Sequence, residues 1–338
     1  MRKDLQGTPV YRPPGSQYLN LANNENFYAT WWYEVLGGQM DDIVKALPFH
    51  QYGTASYEPL IAGYAKYLNL APEQVLPAPG SDSLIPLLIN ALSEHTVLTF
   101  DVDFFRYGQF AKILKRKHVT VPTAGGVDGL IDAAAEQQAD VIFFSNPNNP
   151  LGILQKRDAL VKLLDSVDCY VVIDEAYAEY ANESVADLVT KYPKLLVMRT
   201  LSKAWGLARL RVGFLLADAD LIQYVSAVRG PFSLSDLNAN IATAALAYEH
   251  LMRASVEETI QTRTCFIEFL QAYDLTVLPS ASNFVFVQAA DARAIAAQVL
   301  ADGIALAAFD SGLRITIGTL AQMERLQNSL AKYLPSAK

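Results

Sequence analysis

YVVIDEAYAEY, residues 170–180, opens on an apolar, β-branched run and stops on two acids followed by a tyrosine. An apolar run of that length, without polar alternation, predicts a strand over Tyr170–Asp174 that is buried on both faces, as in a parallel sheet covered by helices. The signal repeats on either side. Upstream it predicts strands Val97–Phe100, Val119–Val121 and Val141–Ser145, and downstream Leu195–Arg199 and Val212–Leu216. Between them 82–92, 105–116, 156–167 and 218–229 carry the apolar spacing of helices. The alternation from about residue 57 to 230 predicts βα units and hence an α/β fold. Beyond it, 236–270 reads as a long helical stretch, followed by strand Asn283–Val287, helix 292–302, strand Leu313–Ile317 and helix 320–333. The expected division is a large domain, 46–235, and a smaller α+β domain built from both chain ends, 1–45 and 236–338.

Composition narrows the function classes. The 338 residues hold 51% hydrophobic and 18% charged residues, the balance of an ordinary globular protein with room for more than one core. A net charge of -8 with no long Lys/Arg run argues against nucleic-acid or anionic-membrane partners. The start MRKDLQGTPVY has no apolar core for a signal peptide, and no uncharged apolar stretch spans a bilayer, so the expected location is the cytoplasm. Cys169 and Cys265 have no CxxC spacing and there are only four histidines, which supports neither a disulfide framework nor a Cys/His metal site.

Open α/β sheets bind ligands beyond the carboxyl ends of their strands, which directs attention to the polar residues there. In MRTLSKAWGLARLRVGF, 198–214, a predicted strand runs into Thr200, Ser202, Lys203 and, eight residues later, Arg211. A lysine desolvated among apolar residues can form an imine while neighbouring hydroxyls and an arginine hold a phosphate; the segment also reads as a surface helix start capped by serine. Asp174 at its strand end can keep a pyridinium nitrogen protonated, and Tyr177 can bond the ring's 3-oxygen; a solvated acid pair reads equally. FFSNPNNPLG, 143–152, is a strand entering a turn, where Asn149 can reach a ring oxygen from the other side. PAPGSDS, 77–83, places Gly80, Ser81 and Asp82 ahead of an apolar helix, with free amides for an anion.

Together these segments resemble the fold type I pyridoxal-5′-phosphate (PLP) enzymes of the class I/II aminotransferase group, and among them the histidinol-phosphate aminotransferase subfamily. NNENF (23–27), QYGT (51–54), SNFVFV (282–287) and GLRITIGT (312–319) add to the likeness, which covers nearly the whole chain. The resemblance implies a mostly parallel, seven-stranded sheet flanked by helices, a smaller α+β domain, PLP as cofactor and amino transfer between an amino acid and a 2-oxo acid. It implies Lys203 as the cofactor-bearing lysine, Asp174 at the pyridine nitrogen, and Tyr177 and Asn149 at the 3-oxygen. The phosphate falls to the amides of Gly80, Ser81 and Asp82 with Ser202 and Arg211. Phe104 is expected to stack on the ring, and Tyr52 to reach the cofactor of a second subunit in a homodimer. Arg314, with Asn26 and Tyr11, is expected at the substrate. Ala307 stands where the subfamily usually carries an arginine that grips the substrate's phosphate, so histidinol phosphate is not read off directly. A PLP-dependent decarboxylase or lyase of the threonine-phosphate decarboxylase type shares the constellation, and a non-catalytic PLP-binding protein is the remoter alternative.

Overall fold

The computed structural model describes Leu5, residues 13–53 and residues 57–334. In chain order the strands are β1 (Leu19–Asn20), β2 (Val75–Ala78), β3 (Thr96–Phe100), β4 (Lys117–Val121), β5 (Val141–Ser145), β6 (Tyr170–Asp174), β7 (Leu195–Thr200), β8 (Gly213–Ala217), β9 (Phe284–Gln288), β10 (Ile304–Ala305), β11 (Ala307–Phe309) and β12 (Gly312–Thr316). Seven of them form the central sheet in the order β2-β8-β7-β6-β5-β3-β4. Its strands pair in parallel except for β8, which runs antiparallel to both β2 and β7. The expected α/β fold with a mostly parallel seven-stranded sheet is the fold observed.

Alternating residues of the buried strands feed two cores. On β6, Val172 packs with Leu84, Leu88, Tyr107 and Phe143 on one face of the sheet. Ile173 packs on the other with Phe144, Tyr64 and Trp205, as the period of two requires. Removing a side chain such as Phe143 or Phe144, both 0% exposed, would cost about 3–5 kcal/mol in transfer and cavity energy. A third core, with Val285, Val287, Leu313 and Ile315, lies under the small antiparallel sheet β11-β12-β9 and takes in Leu21 from the chain's beginning. The helix Glu249–Ala272 serves two cores, Met252 and Val256 joining the large one and Phe266 and Leu270 the small one.

Several observed elements are absent from the sequence expectation, among them strands β1, β10 and β11 and the helices Trp32–Ala46 and Ala178–Ala181, and in four a helix or sheet breaker masks the pattern, beginning with Gly37 and Gly38 in Trp32–Ala46. Helix Tyr57–Leu68 carries Pro59 within its first turn, where proline is tolerated, and Gly63 in its interior. Helix Gly126–Gln137 contains Gly126 and Gly129. Strand β2 contains Pro77, admissible because β2 is at the sheet's edge. The stretch expected as one helical run over 236–270 is two helices, Asp236–Leu246 and Glu249–Ala272, parted at Ala247 and Tyr248. Among the described residues no helix is long and apolar enough to cross a membrane.

Candidate active site

Parallel pairing brings the carboxyl ends of β5, β6 and β7 to one edge of the sheet, where Ser145 is the register partner of Asp174. Asp174 is 6% exposed, and its carboxylate accepts from the Tyr107 hydroxyl at 2.9 Å and the Ala176 amide at 3.2 Å. Burial, helped by the charge of Asp82, pushes this carboxyl up to about 6 against those bonds. Lys203 follows β7 in the loop 201–207, and its Nζ donates to the carbonyl of Asn23 at 2.8 Å. Nζ also lies 5.8 Å from the centre of the Tyr177 ring. Burial and the charges of Arg314 and Arg211 bring the Lys203 ammonium down to about 7, Glu25 and Asp174 opposing. An amine so placed is partly neutral at neutral pH, as a base or nucleophile requires.

Tyr177 is 3% exposed, its ring edge-on to Phe284 at 5.2 Å, and its hydroxyl accepts from the Asn24 amide at 2.8 Å. Burial holds its phenol above the ordinary value. Arg314 comes from β12 in the small sheet and reaches across to the large one, donating to Asn149 Oδ1 and to the Ala22 carbonyl. Its guanidinium lies 5.6 Å from the Phe284 ring centre and 5.8 Å from that of Phe309.

Beside this group the chain forms a cradle for an anion. Gly80 has φ +78°, and a Cβ built on it would lie 2.5 Å from a terminal nitrogen of Arg211. A Cβ on Gly213 would lie 2.4 Å from the Ser81 amide nitrogen, so both glycines are needed for the approach of their neighbours. Arg211 donates to the Ser202 hydroxyl at 3.2 Å. The turn Ser81–Ser83 leads into helix Leu84–Leu92, with its amides at the positive end of the helix dipole. The Asp82 carboxylate is itself occupied by Arg106, with two contacts of 3.1 Å, so only its backbone faces the cradle.

The remaining candidates are placed differently. Phe104 sits edge-on to Tyr107 at 5.7 Å and to Phe105 at 5.3 Å, on the Asp174 side of the sheet. Tyr52 is 82% exposed and stacks on Phe232 at 4.5 Å rather than on another candidate. Asn26 spends its side chain on structure, donating to the Ala204 carbonyl at 2.8 Å and the Ser255 hydroxyl at 3.0 Å and accepting from the Tyr28 amide at 3.1 Å. From NNENF it is Asn24 that bonds Tyr177, held in turn by Thr316, whose hydroxyl accepts the Asn24 amide at 2.9 Å. Tyr11 lies outside the described residues.

Sequence reasoning passed over Tyr107, Asn24 and Thr316. Tyr107 carried a signal, since it stands three residues after Phe104 at a predicted helix start, where side chains three apart share a face. Asn24 and Thr316 carried none, because their contact spans 292 residues.

A mostly parallel sheet with a part-buried lysine, a strand-end acid and an anion cradle at its carboxyl edge defines a cofactor-dependent α/β enzyme. The family model for aminotransferase class I and II matches residues 16–330. A histidinol-phosphate aminotransferase from Clostridium kluyveri is 32% identical over 98% of both chains. Among solved structures, a histidinol-phosphate aminotransferase from Sinorhizobium meliloti in complex with PLP superposes with TM-score 0.86 at 23% identity, over 98% of this chain and 96% of that one. An L-threonine-O-3-phosphate decarboxylase from Porphyromonas gingivalis does so with TM-score 0.77 at 19% identity, over 93% and 99%. The chain belongs to the aminotransferase class I and II family, and it is a PLP-dependent transaminase. Its residues fit that cofactor: a guanidinium, a hydroxyl and amides around two glycines suit a phosphate, and a buried carboxyl at a strand end suits a ring nitrogen that carries a proton.

Proposed function

We propose that the enzyme moves the amino group of a 2-amino acid with an apolar or aromatic side chain to a 2-oxo acid by a ping-pong cycle. The observation that carries this reading is the convergence of Lys203, Tyr177, Asn149 and Arg314 from separate elements onto one place. Bound PLP supplies an electron sink that makes the Cα proton of an attached amine acidic. The chain supplies the rest. Arg211, Ser202 and the amides of Gly80, Ser81 and Asp82 hold the phosphate; Asp174, when ionised, pairs with the ring nitrogen; Tyr177 and Asn149 bond the ring oxygen. Neutral Lys203, held by the Asn23 carbonyl, would take the proton from the substrate's Cα and pass it to the cofactor's C4′, water releasing the 2-oxo acid, and would run the same transfer in reverse for the incoming 2-oxo acid. Arg314 offers its guanidinium to the substrate carboxylate, with Asn149 and Ala22 fixing its direction.

Ala307 supports the substrate side of the proposal. It is the cross-strand partner of Arg314, where it adds a methyl group rather than a charge, and Phe309 forms an apolar wall beside it. Loss of one charge-assisted contact to a phosphate dianion costs about 1.5–3 kcal/mol, enough to turn preference away from the substrate named for the curated relatives. We also propose a homodimer as the active unit, supported by the aromatic pair Tyr52 and Phe232 left on the surface, the latter 47% exposed.

Absorbance titration tests the reading. The PLP-loaded protein should lose its visible-edge band on addition of phenylalanine or tyrosine, with release of the matching 2-oxo acid. Faster conversion of histidinol phosphate would overturn the substrate class, and carbon dioxide release in place of a 2-oxo acid would make the enzyme a decarboxylase.

A further inference from the structure

Asp103 has no role in the account above, and its surroundings are unusual for a loop acid. The loop 101–105 leads from β3 to helix Arg106–Ile113 and carries Phe104. The Asp103 carboxylate turns inward and accepts three donors: the Phe104 amide at 2.7 Å, the Ser145 amide at 3.2 Å and the Ser145 hydroxyl. That hydroxyl in turn accepts the Asn149 amide at 2.9 Å, and Asn149 receives Arg314. One carboxylate therefore joins, through Ser145, the loop of the ring-stacking aromatic to the turn of the residue that meets both the ring oxygen and the substrate arginine.

We propose that Asp103 is a positioning residue, a clamp that sets Phe104 and Asn149 relative to one another through Ser145. The inference rests on the transaminase reading, because the two residues it aligns are those assigned to opposite parts of the cofactor. An uncharged hydroxyl in its place would be too short to bridge the loop and the strand end, while a longer acid would push them apart. The carboxyl is well desolvated: burial, with the charge of Asp174 adding to it, pushes it up to about 8 in spite of its three donors. Such a group is costly to keep, and it satisfies backbone donors of the loop after β3 and of the end of β5, beyond Leu98 and Ile142 where the register between those two strands stops.

The test compares Asp103→Ala, Asp103→Asn and Ser145→Ala with the unaltered enzyme, by steady-state kinetics and by amide hydrogen exchange of the cofactor-free protein. The Ala variant should lose roughly 10–100-fold in kcat, the scale set by small misplacements of reacting groups, with KM changed less. Exchange should speed up at residues 104, 145 and 149 and stay unchanged elsewhere in the sheet. Asp103→Asn, whose side-chain oxygen still accepts, should restore most of the protection and part of kcat. Ser145→Ala should reproduce the effect, and adding it to Asp103→Ala should cost no more than about twofold beyond either change, since both remove one linkage. Unchanged kcat in the Ala variants, faster exchange throughout the chain, or no rescue by asparagine would each overturn the clamp. If Asp103→Ala does not fold, Asp103→Asn and Ser145→Ala decide alone. Failure of the unaltered enzyme to bind PLP or transaminate would instead strike the functional reading and leave the exchange pattern to judge Asp103.

Discussion

On one face of the central sheet Arg199, from β7, donates to Glu175 at 2.8 Å and to Glu179 at 2.7 Å, with all three side chains no more than 6% exposed. One residue before Glu175, Asp174 ends β6 with its side chain on the opposite face and is met by a phenol and an amide, while Lys203, in the loop after β7, is met by a carbonyl. The first cluster carries its own counter-charges: burial raises the Glu179 carboxyl, with Arg199 opposing it, and Glu175 also receives the Ser184 hydroxyl at 2.6 Å and the Val185 amide at 2.7 Å. The second lacks an equal closure, so burial moves its acid up to about 6 and its amine down to about 7. Burial alone does not make a functional group: a paired charge is scaffold, and a charge whose partner must arrive with a ligand is chemistry.

Replacing Lys203 with alanine should separate the two clusters most sharply. Turnover should fall by at least about 10³-fold, in the range for a lost general base and nucleophile, while the urea midpoint stays level or rises because a desolvated amine is gone. A variant that keeps ordinary turnover would remove Lys203 from the mechanism. The reverse pattern is expected for Arg199→Met. Stranding two buried carboxylates should cost about 3–5 kcal/mol, read as a lower urea midpoint, and adding Glu175→Gln and Glu179→Gln should recover part of it. If Arg199→Met leaves stability intact and affects only kcat, the scaffold assignment is wrong. The smallest effect is the pH response. Because the Lys203 value is depressed, its neutral form grows as pH rises, so the rate of proton removal should climb roughly tenfold per pH unit below about 7 and level off above about 8. Asp174, raised to about 6, adds a further fall below that pH in cofactor loading, since its ionised form is the one that pairs with the ring. A flat rate from pH 5.5 to 8 would place the proton carrier elsewhere.

Much of this was legible along the chain. Tyr170–Asp174 and Val141–Ser145 were bounded to the residue, because runs buried on both faces have no polar alternation to blur them. Elements containing Pro59, Pro77, Gly126 and Gly129 were not, since local breakers outweigh a pattern that tertiary packing later rescues. Within the site, Lys203, Asp174, Tyr177, Asn149 and Arg211 were singled out by their positions after strands. The choice of Asn26 from NNENF went to a residue that pins the segment, while its neighbour Asn24 faces Tyr177. Nothing in the local sequence separates two asparagines two positions apart.

The sequence by itself determined the α/β order, the strand ends and the residue types that can hold a phosphate, a ring and a carboxylate, because periodicity and strand termini are properties of neighbours in the chain. Only the tertiary structure decided which polar groups are paired. The Arg199 triad, the Tyr107 bond to Asp174, the Asp103 clamp and the meeting of Arg314 with Asn149 across 165 residues depend on which distant segments share a dry interior, and it is in that interior that charge is either cancelled or kept available.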